Sequence, residues 1–181
     1  MKTIINTIQS SLSGKIICSI SASLLLAASS QIAIPLYPVP FTLQTITVLF
    51  LSFILGKELA TLSVGIYLLE GSMGLPVFAH FSSGVHTLFG PTGGYLFGFM
   101  FAAYFAGILY ERFRSRKIWH LFLIGLLGEV PIFFCGYTYL ACFVGWGQAW
   151  WTGVFPFLAS TCIKNAFLAL LLNKKFYHYH T

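Results

Sequence analysis

Hydrophobic residues along the chain fall into six blocks, parted by connections that hold most of the prolines and charges. A bilayer core of about 30 Å takes about 20 apolar residues per helical crossing. The blocks therefore read as transmembrane helices at about 16–35, 41–56, 58–72, 94–111, 118–144 and 153–172. The second and third are short and are expected to tilt little or to stop inside the interface. Between the first two blocks, Pro35, Pro38 and Pro40 fix φ and resist helix, making an external connection. Between the third and fourth, Gly71 to Gly94 is rich in Gly, Ser and Pro yet still carries Leu75, Val77, Phe78, Phe81 and Phe89. Irregular backbone at a membrane is tolerated where protein buries it or where it lines a cavity, so this apolar loop is the place to expect a lid. The run Gly145, Trp146, Gly147, Gln148, Ala149, Trp150, Trp151 reads as an interfacial aromatic turn before the last block. The predicted architecture is an all-α integral membrane protein with one transmembrane domain over 1–181. It is a compact bundle of six transmembrane helices with a structured glycine-rich loop between helices 3 and 4.

Composition narrows the solvent and the function class. The chain is 57% hydrophobic and 8% charged, with a mean hydropathy of +0.85. Soluble domains average about 25% charged, so no separate soluble domain is expected here. The net charge of +6 would suit nucleic acid, but Arg112, Arg114, Arg116 and Lys117 cluster between two apolar blocks, which is a topology signal and not a binding face. Counted in alternate connections, Lys2, Lys15, Lys57, that cluster, Lys174 and Lys175 share one side and none lies on the other. The positive-inside rule then gives a multi-pass protein of the cell membrane with both termini cytoplasmic. Lys2 and Lys15 ahead of an apolar run, with small Ala27, Ala28 and Ser29, have the outline of a cleavable signal. Because the run continues through Ile32, Ala33 and Ile34, a retained first helix is expected. Cys18, Cys135, Cys142 and Cys162 show no C-x-x-C spacing and read as small packing residues.

Few residues in these blocks carry chemistry. Ser19, Ser23 and Ala27 recur every fourth residue on the first helix, a small-residue face suited either to packing within the bundle or to docking a separate membrane subunit. Glu129 and Lys164 lie inside the fifth and sixth blocks. A charge at mid-bilayer costs roughly 2.5–3.5 kcal/mol on insertion scales, so both should face the interior, where they could pair or where Lys164 could reach a polar or anionic part of a solute. Gly90, Pro91, Thr92, Gly93, Gly94 and Tyr95 open the fourth block, where free backbone N–H groups could hold an anion or a carbonyl. This is not a nucleotide P-loop, since Tyr95 stands where that motif needs lysine. His80 and His86 in the loop, and His178 and His180 in the tail, lack the spacing and companion ligands of a metal site. No paired carboxylates, nucleophile elbow or H-E-x-x-H occurs, so no enzyme and no cofactor are expected.

Three stretches together carry a family likeness: Gln31-Ile-Ala-Ile-Pro-Leu with Pro40-Phe-Thr-Leu-Gln44-Thr; Gly74-Leu-Pro-Val-Phe-Ala79; and Leu88-Phe-Gly-Pro-Thr-Gly-Gly-Tyr95 with Gly98. The chain resembles the BioY family, the biotin-binding S components of energy-coupling-factor (ECF) vitamin transporters. The likeness is dense from about Gln31 to Glu111 and looser beyond. It implies a six-helix bundle that binds biotin near the external face, under loops including the one after helix 3, and works with a transmembrane coupling subunit and two ATPase subunits. It also implies that the small face of the first helix contacts the coupling subunit. For biotin's ureido ring and carboxylate, Gln44, Ser82, Ser83, Gly93, Gly94, Tyr95, Lys164 and Asn165 are suitable donors and acceptors, with Phe78 and Tyr67 as walls.

The sixth helix departs from the family's F-x-x-G-D-x-x-K run. Phe157 and Lys164 are kept, but Ser160 replaces the glycine and Thr161 the aspartate. The expectation is that Glu129 supplies the missing charge from the neighbouring helix, with Thr161 as a neutral acceptor. The functional expectation is the substrate-binding subunit of a vitamin uptake transporter, with biotin as transported ligand and no nucleic acid partner. The alternative is a solitary facilitator of biotin or a related small heterocyclic carboxylate, without ATPases.

Overall fold

The computed structural model describes residues 11–113 and 117–177, residues 174–177 in backbone only. Lys2, Arg114, Arg116, His178, His180 and the side chains of Lys174 and Lys175 lie outside the described residues. The chain is mostly helical. Helix α1 spans Leu12–Gln31, opened by Ser11, whose hydroxyl accepts from the Gly14 N–H at 3.0 Å. It begins before the expected start near 16 and stops short of 35. The proline-rich stretch beyond it bends back on itself, and its flanks pair as a two-residue antiparallel ladder, β1 (Ala33–Ile34) with β2 (Phe41–Thr42), in register Ala33↔Thr42 and Ile34↔Phe41. The expectation of a purely helical protein with a second helix from 41 is corrected there, because Ile34 precedes a proline and favours extended backbone, and Phe41–Thr42 pair back onto that strand before α2 can begin.

Helix α2 (Gln44–Leu55) turns into α3 (Lys57–Ser72) at Gly56, whose φ of 81° and ψ of 171° suit glycine alone. Glu111 clips that turn from another helix: its carboxylate accepts from the Lys57 N–H at 3.2 Å and pairs with Lys57 Nζ at 3.3 Å. The long glycine-rich stretch holds a 3₁₀ turn at Ala79–Phe81 and a short helix α4 (Val85–Leu88). Helices α5 (Gly93–Phe113) and α6 (Ile118–Val144) follow, then α7 (Trp146–Ala149), a π turn (Trp150–Val154) and α8 (Phe155–Tyr177). The aromatic turn expected between the last two blocks is thus itself helical and runs into α8. Among the described residues, four segments are long and apolar enough to cross a membrane: Leu12–Gln31, Gly93–Phe113, Ile118–Val144 and Trp146–Asn173.

Where lipid replaces water, close packing and not expulsion of water joins helices, so small residues mark the interfaces. Helix α5 is the hub, packed on α2, α3 and most extensively α6. Gly94, Gly98, Ala102 and Ala106 recur every fourth residue on its buried side. A Cβ on Gly98 would stand 2.9 Å from the Ile132 Cα and 3.2 Å from the Pro131 carbonyl, so the α5 and α6 backbones touch there. Helix α1 packs on α3, and α8 on α6. Leu49, Phe53, Ala106, Leu121, Ile124, Leu168 and Leu172 form a tight apolar cluster where α2 and α5 end and α6 begins. The opposite end holds the loops and the cavity. Outward side chains such as Ile17, Leu24, Phe101, Phe134, Ile163 and Phe167 are exposed and apolar, the surface a bilayer covers.

Candidate functional site

The first turns of α2 and α5, the middle of α6, the first turn of α8 and the loop after α3 converge on a cavity of about 280 Å³. Its walls are largely apolar: Val39, Pro40, Phe78, Leu96, Phe99, Ile132, Phe133 and Phe157. Polar groups are few and local, namely Thr42, Gln44, Thr45, His80, Ser82, Thr87, Thr92 and Tyr95. An apolar chamber with a few placed donors and acceptors is the usual form of a small-molecule site.

The P-F-T-L-Q-T stretch supplies one polar edge because β2 delivers Thr42 and the first turn of α2 delivers Gln44 and Thr45. Gln44 is buried and held on both sides: its Nε2 donates to the Tyr67 hydroxyl at 2.6 Å, and its Oε1 accepts from Thr42 at 3.1 Å. Tyr67 in turn donates to the Val77 carbonyl at 3.2 Å and meets the Phe78 ring edge-on at 5.4 Å. Tyr67 is therefore fully buried behind the cavity, where it orients Gln44 and backs Phe78. Tyr95 lines the chamber while its hydroxyl donates to the Gly153 carbonyl at 2.9 Å, tying α5 to the start of the last span. Ser82 lines the cavity and donates to the Ala79 carbonyl at 2.8 Å.

Glu129 and Lys164 are both buried but are not in ion-pair contact. The Glu129 carboxylate accepts from Thr161 Oγ1 at 2.7 Å and from Asn165 Nδ2 at 2.9 Å. Lys164 Nζ turns the other way, donating to Thr45 Oγ1 at 2.5 Å and lying 4.9 Å from the centre of the Phe41 ring. Since Thr45 lines the cavity and Phe41 stacks on the lining residue Phe157 at 6.0 Å, the ammonium sits one side chain behind the wall. The structure thus brings Gln44, Phe78, Ser82 and Tyr95 to the cavity. Tyr67 and Lys164 stand directly behind it, and Glu129, Thr161 and Asn165 form a layer behind Lys164.

Three expected residues are elsewhere. Ser83 is half-buried beside the chamber, its carbonyl accepting from Thr87. Gly93 and Gly94 do not offer a cradle of free N–H groups: the Gly93 and Tyr95 amides donate to the Gly90 and Thr92 carbonyls, and Gly94 is pressed against the Cys135 carbonyl of α6. Those glycines allow helix contact. The small face of α1 also differs from the partner-docking expectation, because Ser19 and Ser23 are fully buried and Ser23 donates to Glu70 on α3 at 3.0 Å, leaving only Ala27 half-exposed. The protein's own α3 occupies that face. Thr42, Thr45 and Thr87 line the chamber beyond the expected set, the first two signalled by their place in P-F-T-L-Q-T beside Gln44, while Thr92 of the G-P-T-G-G-Y turn and His80 also line it.

Fold and site together define a multi-pass helical membrane protein with a chamber for a small solute at one end of its bundle. The chain belongs to the BioY family, whose sequence profile matches residues 3–179. It is 43% identical over 148 residues to the biotin transporter BioY of Thermotoga maritima, covering 81% of this chain and 86% of that one. It is 36% identical over 150 residues to the probable biotin transporter BioY of Pyrococcus horikoshii, covering 83% and 88%. Its fold superposes with a TM-score of 0.78 on a crystal structure of the S-component for biotin from an ECF-type ABC transporter, covering 88% of this chain and 89% of the other at 23% identity.

Proposed function

We propose that this protein is the substrate-binding subunit of a vitamin uptake transporter, that it takes biotin from the external side, and that a separate coupling subunit and ATPases drive delivery. The chamber carries this reading: about 280 Å³ of apolar wall, with Gln44 fixed at one polar edge and a lysine behind Thr45. Biotin's bicycle and tail fit apolar walls, its ureido ring needs a donor and an acceptor such as Gln44 presents, and its carboxylate needs a cation. Lys164 reaches that carboxylate through or beside Thr45, while Glu129, held by Thr161 and Asn165, balances the buried charge. On this reading α2 and α3, about 18 and 24 Å long at 1.5 Å per residue, complete a bundle of six spans. Lys15, Lys57, Arg112 and Lys117 mark the cytoplasmic end and both termini lie there.

The test is equilibrium binding of biotin to the detergent-purified chain, with Lys164→Ala as the control. Binding that is lost in the control supports both ligand and site; no binding by the unaltered chain would overturn the ligand. Co-purification with a coupling subunit and ATPases decides the mode of work, and biotin uptake without them would identify a solitary facilitator.

A further inference from the structure

We infer that Gln31 is the latch of the chamber's lid. It sits at the last position of α1, outside the lining of the cavity, yet its amide grips the loop after α3 with both ends. Nε2 donates to the Phe78 carbonyl at 3.0 Å and to Ser30 Oγ at 2.8 Å, while Oε1 accepts from the Phe81 N–H at 3.0 Å. A primary amide offers a donor and an acceptor on separate atoms, so it can serve a backbone carbonyl and a backbone N–H at once, as a neighbouring strand would; a carboxylate can accept but not donate. Ser30 adds a third tie by donating to the Val77 carbonyl at 2.6 Å.

The gripped segment is the part of the loop that covers the cavity. The Phe78 N–H donates to the Ser82 carbonyl at 3.1 Å, closing a small hook whose tip is Ala79, His80 and Phe81. Phe78, Ala79, His80 and Ser82 all line the chamber. Within the hook, His80 (φ 57°) and Phe81 (φ 56°) are consecutive left-handed residues that are not glycine, a conformation that persists only where its surroundings enforce it. Phe81 is 69% exposed, so its own packing does not enforce it. The bonds that close the hook, from the Phe78 N–H to the Ser82 carbonyl and from Ser82 to the Ala79 carbonyl, hold it from within, and the Gln31 bond to the Phe81 amide is the tie that holds it from outside the loop. Release of the amide lets both residues relax to ordinary backbone, which lifts the hook from the cavity. The closed and open loops are then two discrete states, with the bidentate amide deciding between them.

This inference rests on the chamber being the biotin site, and two readouts separate the claims. In the chain without ligand, the Phe81 amide is expected to exchange with solvent slowly, and at least about tenfold faster in Gln31→Ala and Gln31→Glu. In the loaded chain, biotin dissociation should quicken on the order of tenfold in both variants. Phe81→Gly, which relieves the left-handed backbone at a position that does not itself line the chamber, should slow dissociation about threefold or more. Unchanged amide exchange and unchanged dissociation in both Gln31 variants overturn the latch. Should neither variant be recovered folded, Phe81→Gly decides, and biotin release as fast as in the unaltered chain overturns it. Failure of the unaltered chain to bind biotin sinks the ligand assignment only, and ligand-free exchange still judges the latch.

Discussion

Replacing Gly98 by alanine probes the contact on which the chamber's walls depend. The added Cβ would meet the Ile132 Cα at 2.9 Å and the Pro131 and Ile132 carbonyls at 3.2 and 3.3 Å, all backbone atoms that cannot rotate away. Ordinary contact needs about 3.4–4 Å, so α5 and α6 must part by roughly 0.5–1 Å beside the lining residues Leu96, Phe99 and Ile132. Overpacking of this kind costs about 1–3 kcal/mol. Against it stands the helix preference for alanine over glycine, about 1 kcal/mol. Gly65 on α3 isolates that second effect, because a Cβ there meets nothing within 4 Å. Gly65→Ala should therefore leave stability unchanged or raise it by about 1 kcal/mol, whereas Gly98→Ala should be neutral to about 2 kcal/mol destabilising. The difference of about 1–3 kcal/mol corresponds to about 2–12 °C in midpoint for a chain of this size. Thermal unfolding of both variants in the same detergent measures it. Equal midpoints would refute the claim that backbone contact between α5 and α6 limits this fold.

Glu129→Leu strands the Thr161 and Asn165 donors in the bundle and should destabilise by about 2–4 kcal/mol, while Glu129→Gln keeps an acceptor and should cost less, both read from unfolding midpoints. Equal losses would mean that the hydrogen bonds are not what Glu129 contributes. Tyr67→Phe removes the acceptor of the Gln44 amide and should cost about 1–3 kcal/mol of stability, measured by denaturant titration; an unchanged transition would remove Tyr67 as the support of Gln44. Gly56→Ala forces a side chain onto a backbone at φ 81° and ψ 171° and to 3.1 Å from Glu111 Oε1, at about 1–3 kcal/mol, whereas Gly147→Ala, with open space around it, should be silent in the same unfolding assay.

The membrane-crossing helices were legible because their signal is local. A block of apolar residues has one stable form in a bilayer, and its edges are written in Pro35, which fixes φ, and in Gly56 and Gly145, which alone adopt positive φ at little cost wherever the rest of the chain lies. P-F-T-L-Q-T and G-P-T-G-G-Y marked the two segments that flank the chamber for the same reason of local density. The ladder of Gly94, Gly98, Ala102 and Ala106 is written at the same four-residue spacing as Ser19, Ser23 and Ala27, and spacing alone does not rank one small-residue face above the other.

Tertiary structure alone decided which neighbour each face meets. Spacing shows that Ser19 and Ser23 share a face but not that α3 fills it, and it puts Glu129 and Lys164 at similar depth without showing that one turns to Asn165 and the other to Thr45. The grip of Gln31 on Phe78 and Phe81 spans 47 and 50 positions of the chain. Helix formation is set by bonds between residues four apart, so the chain by itself carries it. The cavity, its lid and its charges depend on how rigid helices rotate against one another, which is a sum of many weak contacts made only after all of them have formed.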